Sequence, residues 1–132
     1  MSSPAPILVD GQWFTPRSKV LRPILNPATL EQVGLTVDCT ADDIALAVEA
    51  AARAQPAWWR IPGVEKAQLL REAAGVIRSK ERELATLMCR ETGKPLIEAI
   101  DEIDWVAAAF EYYAEVGRRS FGNSIPPVAP HQ

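Results

Sequence analysis

At Thr40 the spacing of apolar residues changes from short runs to intervals of three and four, so the chain must change from extended to helical structure there. Thr40 with Asp43 three residues later forms a capping-box start, and Asp42 and Asp43 suit the positive helix end. Ile44, Ala47, Val48 and Ala51 then share one face of a first helix, predicted to end before Pro56 because proline lacks the N–H that would continue it. Trp58 and Trp59 are expected to pack in the core at a helix corner, followed by a break at Pro62-Gly63. Leu70, Ala73, Ala74, Ile77, Leu84, Leu87 and Met88 make one long apolar stripe opposite Arg71, Arg78, Glu81 and Arg82, which predicts a second, long amphipathic helix. Gly93 supplies a left-handed stop and Pro95 a restart. Leu96, Ile100, Ile103, Ala107, Phe110 and Ala114 define a third helix ending near Gly117 or Gly122, with Arg118 and Arg119 at its negative end.

Before Thr40 the signals are those of strands. Ile7-Leu8-Val9, Asp10-Gly11 and Gln12-Trp13-Phe14 read as a β-hairpin, since Asp-Gly accepts the positive φ angles of a type I′ turn. Residues 19–24 and 32–36 are further extended candidates, separated by a turn at Asn26-Pro27-Ala28-Thr29. The segment from Ser124 to Pro130 is too rich in proline for a helix or central strand and is expected to be an extended tail. The resulting organisation is one partial domain: a hairpin and short strands over 1–39, a three-helix segment over 40–122 and a Pro-rich tail over 123–132. Taken alone this is an α+β chain, an N-terminal β-hairpin and short strands followed by three helices.

With 48% hydrophobic residues the 132-residue chain can supply a core and is expected to bury roughly two thirds of its extended surface. Its 14 basic and 17 acidic residues are interspersed, with no basic cluster, so nucleic acid is not an expected partner. The N-terminus has no cationic leader or apolar signal core, and the longest apolar run, Trp105 to Phe110, is too short for a bilayer; a soluble, cytoplasmic protein with no membrane partner is expected. Cys39 and Cys89 lack CxxC spacing, and the single histidine is His131, so neither a zinc site nor a disulfide framework is indicated.

Six segments in register carry a resemblance: Asp10-Gly11-Gln12-Trp13, Asn26-Pro27-Ala28-Thr29, Thr40-Ala41-Asp42-Asp43, Trp58-Trp59-Arg60, Glu91-Thr92-Gly93-Lys94-Pro95-Leu96 and Tyr112-Tyr113-Ala114. Their order and intervals resemble the start of aldehyde dehydrogenases, an α/β family of NAD(P)-dependent enzymes that oxidise aldehydes to acids or thioesters. One departure is Leu30, where the family commonly has glycine. In that family the nucleophilic cysteine, the glutamate, the oxyanion asparagine and the cofactor lysine and glycine loop all lie beyond the stretch that this chain matches. The resemblance therefore implies NAD or NADP as cofactor of complete relatives, and neither cofactor binding nor catalysis by this chain alone.

Individual residues follow from the same reading. Cys89 lies inside a helix and Cys39 just before a helix cap; neither has a base beside it, and neither is assigned as a nucleophile. The resemblance further implies a monovalent cation held by Glu91 and the backbone oxygens of Ile24 and Leu25, a donor set suited to hard cations. It also implies that Glu102, Trp105 and Ala109, on a second stripe of the third helix with Glu98 and Tyr112 or Tyr113, border a substrate tunnel. Glu98 and Glu102 are one turn apart, a spacing of a solvated face rather than of an acid–base pair. If the apolar stripes lack their usual cover, self-association or docking on an aldehyde dehydrogenase-like partner is the alternative role, with Leu70, Ile77, Leu84, Ile103 and Phe110 among the exposed residues.

Overall fold

The computed structural model describes residues 4–16, 18 and 20–119. The predicted tail, 123–132, lies outside the described residues. Two separate antiparallel ribbons come first, β1 (Ile7–Val9) with β2 (Gln12–Phe14) and β3 (Leu21–Leu25) with β4 (Gln32–Val37). Four helices follow, α1 (Ala41–Arg60), α2 (Gly63–Ser79), α3 (Glu81–Thr92) and α4 (Leu96–Arg118). The α+β expectation holds, with four helices in place of three.

The first ribbon pairs Ile7 with Phe14 and Val9 with Gln12 across a turn in which Asp10 (φ 52°) and Gly11 (φ 73°) are both left-handed, as a type I′ turn requires. In the second ribbon Asn26 closes the turn. Its Oδ1 accepts from the Ala28 N–H at 2.9 Å and its carbonyl from the Leu30 N–H at 2.7 Å. Leu30 itself sits at φ 62° and is 76% exposed, so a branched side chain occupies a glycine-type conformation without any packing to offset it.

Helix α1 starts as the capping box demands: the Asp43 N–H donates to Thr40 Oγ1, and Asp43 Oδ2 accepts from the Thr40 N–H at 2.9 Å. It does not stop before Pro56 but runs on to Arg60. Proline removes only the bond to the Ala52 carbonyl, and the turn beyond is held by the Ile61 N–H on the Trp58 carbonyl and Lys66 Nζ on the Trp59 carbonyl. The paired tryptophans stand at the corner between α1 and α2 but not in the core, since Trp58 is 46% and Trp59 75% exposed, both under the Lys66 ammonium.

The long amphipathic helix is two helices. Lys80 leaves helical geometry at φ −111°, ψ 12°, and the apolar stripe continues across the break. The bend lets α2 lie along the C-terminal half of α4, while Leu84, Ala85 and Met88 of α3 pack with Ala99, Ile100 and Ile103 near its start. Arg78 before the break and Glu81 and Glu83 after it suit one helix end and one helix beginning.

The core is built of small residues. Ala67, Ala74, Ala85, Ala99, Ala107 and Ala114 are each at most 1% exposed, and Ile103 is the one large apolar residue buried among the helices described. Antiparallel α2 and α4 meet through this alanine surface, and at one end Gly63 faces Gly117 so closely that a Cβ on Gly63 would lie 2.7 Å from the Gly117 carbonyl oxygen. Along the rim Arg71 pairs with Glu115 at 2.9 Å, and Arg78 pairs with Glu111 at 3.0 Å and with Asp104. The hydrogen bonds that Arg78 donates to Glu111 and then to Asp104 raise its pKa further above its ordinary range. What this pairing contributes is complete below the ordinary guanidinium value and is lost only as pH rises through the raised one, so it is constant near neutrality and weakened by salt instead.

Three glycine-type positions give separable outcomes in urea unfolding followed by circular dichroism. Gly63→Ala is expected to destabilise by about 1–3 kcal/mol, because backbone rather than a flexible side chain is in the way. Gly75→Ala, with open space around it, is expected to stabilise by about 0.5–1 kcal/mol. Leu30→Gly is expected to gain about 1 kcal/mol by releasing the left-handed strain; a loss there would show that the turn does not hold Leu30 as described.

Candidate functional site

Two places collect the residues to which the resemblance gave roles. The first is the junction of the Asn26 turn with the α3–α4 corner. Gly93 ends α3 at φ 73°, and a Cβ there would lie 3.0 Å from Pro27 Cγ and 3.1 Å from Ala28 Cβ, so only glycine lets the corner seat against the turn. Ile24 and Leu25 lead into that turn from β3, where a bulge interrupts the ladder between them, and Glu91 lies exposed two residues before Gly93. The three proposed cation ligands are thus on segments that the Gly93 contact brings together. Among the described residues no group of three or more His, Cys, Asp or Glu side chains forms a metal cluster.

The second place is the outer face of α4. Trp105 is 76% exposed, and Ala109 lines a small apolar cavity of about 200 Å³ with Leu70, Phe110 and Tyr113. Glu102 is not a free carboxylate on this face: it accepts from Lys94 Nζ in an ion pair that ties the α3–α4 corner to the first turns of α4. Lys94 is accordingly only 24% exposed in its side chain. Intervals along one helix reveal which residues share a face but not a partner across a corner, and so this pair was not foreseen.

The two thiols differ in setting. Cys89 is half-buried in α3 and its Sγ donates to the Lys94 carbonyl at 2.9 Å, while Cys39 is exposed at the approach to α1. A nicotinamide dinucleotide needs a glycine-bearing turn that opens onto a free helix end for its pyrophosphate. Of the left-handed glycines described, Gly11 closes the hairpin and Gly93 is covered by Pro27 and Ala28, while the start of α1 is taken by its own capping box. None of the described helices is long and apolar enough to cross a membrane.

The order of motifs and this geometry agree with a family-wide comparison: the model of the aldehyde dehydrogenase family matches residues 13–132. The chain belongs to the aldehyde dehydrogenase family. It is 44% identical over 128 residues to aminoaldehyde dehydrogenase 1, peroxisomal, of Malus domestica, covering 93% of this chain and 25% of that protein. It is 36% identical over 119 residues to the NADP(+) succinate-semialdehyde dehydrogenase of Escherichia coli strain K12, covering 90% of this chain and 25% of the relative. The crystal structure of lactaldehyde dehydrogenase from Escherichia coli superposes with a TM-score of 0.88 at 35% identity, over 97% of this chain and 27% of that one. The chain thus spans about a quarter of the length of the aldehyde dehydrogenases it matches.

Thiol labelling tests the local description. Cys39 is expected to react with a disulfide reagent before Cys89, whose labelling should accelerate on unfolding. Equal rates in the folded chain would mean that the Cys89–Lys94 hydrogen bond and the packing around it are not as described.

Proposed function

We propose that these residues form the opening scaffold of a longer NAD(P)-dependent enzyme that oxidises an aldehyde to its acid, and that the chain by itself does not turn over. The observation that carries the reading is uncovered surface. The described part of the chain leaves many large apolar side chains open to solvent. Ile44, Val48, Ile97, Trp105, Tyr112 and Val116 are among its large apolar residues left open. The stripe expected to lack cover is not the open one: Leu70, Ile77, Leu84, Ile103 and Phe110 are buried or half-buried. Such a surface is that of a domain portion awaiting further chain.

Within that enzyme Glu91 and the carbonyls of Ile24 and Leu25 hold a monovalent cation with a structural role, supported by the contact of Gly93 with the Asn26 turn. Trp105 and Ala109 face the substrate passage, with Glu102 held in place by Lys94 at its edge. For the aldehyde we favour an amino-bearing one, on the identity to the Malus domestica relative and the exposed carboxylates Glu98 and Asp101 on α4. The same open residues favour a second role for the isolated chain, self-association or docking on an aldehyde dehydrogenase-like partner.

The purified chain with NAD or NADP and a panel of aldehydes is expected to give no reduced-cofactor absorbance above blank; turnover that scales with the chain and survives repurification would overturn the scaffold reading. In the longer enzyme kcat/KM for an aminoaldehyde is expected to exceed that for succinate semialdehyde, and the reverse ranking would remove the substrate assignment alone. Size-exclusion chromatography over a range of concentrations addresses the second role: a monomer that binds no hydrophobic dye would exclude it.

A further inference from the structure

Where α1 ends, α2 begins and α4 closes, the chain leaves a cleft of about 310 Å³. Its floor has almost no side chains, because Gly63, Ala67, Ala114 and Gly117 are the residues through which α2 and α4 approach each other. Its walls are aromatic and apolar: Trp58, Trp59, Leu70 and Tyr113. Through Leu70 and Tyr113 it meets the second apolar cavity, of about 200 Å³. The one charged group in the lining is Lys66. Its ammonium lies 5.6 Å and 5.7 Å from the two indole centroids and donates to the Trp59 carbonyl at 3.3 Å. No carboxylate among the described residues pairs with it, whereas Arg71 and Lys94 each have one and Arg78 has two.

An elongated apolar trough with a lone ammonium at one end matches an amphiphile of opposite sign. Aromatic walls favour a planar body, and an ammonium with donors to spare favours a carboxylate head. We propose that the cleft formed by Trp58, Trp59, Lys66, Leu70 and Tyr113 binds a planar aromatic monocarboxylate, its ring against the indole and phenol faces and its carboxylate on Lys66. A cationic ligand of the same shape is repelled by Lys66, and a neutral one gains only the ring contacts. The cleft takes α4 at Tyr113 and beyond and adjoins, through the Ala109-lined cavity, the face that carries Trp105, while Glu102 and Trp105 themselves line neither cavity.

The test is titration of the ¹⁵N-labelled chain with 2-naphthoate and, in parallel, with neutral 2-naphthalenemethanol, following the indole N–H signals of Trp58 and Trp59. Saturable shifts of both signals by the carboxylate are expected. Lys66→Met should weaken the carboxylate about tenfold, the loss of one charge-assisted hydrogen bond, and leave the alcohol unchanged. Lys66→Arg keeps the charge and should retain most of the affinity, which separates loss of the ligand contact from disturbance of the α1–α2 corner. Absence of saturation, shifts centred elsewhere, or equal weakening of acid and alcohol in Lys66→Met would each overturn the assignment.

Discussion

The approach of α2 to α4 is the constraint from which the rest of the helical structure follows. Two helices can come this close only where neither carries bulk, and here the contact is made by glycine at one end and by alanines two turns apart along each partner. Close approach places the arginines of α2 opposite the carboxylates of α4, and it lifts the larger side chains to the rims of the contact. Half-buried Leu70, Ile77 and Phe110 are therefore flanks of an alanine seam rather than its centre. With so little volume inside, the chain cannot close around its own apolar residues, and its uncovered surface is a geometric result of the seam.

Much of the fold could be read from the residues because its signals are local. The Asp10-Gly11 turn, the Thr40–Asp43 box, the Asn26 turn and the Gly93 stop each depend on side chain and backbone a few residues apart, and each is present. What failed depends on context. Pro56 is an effective helix breaker only when nothing secures the turn after it, and Lys66, arriving from the next helix, does so. The break at Lys80 is hidden because the apolar stripe runs through it unchanged; the reversal from Arg78 to Glu81 was the available signal. The tryptophans misled because size suggests burial, yet at a corner an indole can be held by a cation and remain open.

The roles given to individual residues divide along the same line. The helical position of Cys89 was legible from spacing, whereas its bond to the Lys94 carbonyl, across the α3–α4 corner, was not. The residues proposed for a cation lie on two segments far apart in sequence, Ile24 and Leu25 before the Asn26 turn and Glu91 before the α3–α4 corner, and one glycine seats that corner on that turn. Family membership itself rested on the order of six short motifs, a property of the whole chain that no single motif carries, and the match over residues 13–132 has the same character.

The contact between Gly63 and Gly117 also determines how the two helices are indexed. Sliding α2 by one turn would bring Ala67 to the Gly117 carbonyl, and its methyl group would collide where Gly63 has only hydrogen. The alanines by themselves would tolerate several longitudinal settings, since each resembles the next. A single residue without a side chain thus acts as the detent that selects one setting, and every ion pair along the rim inherits its alignment from it.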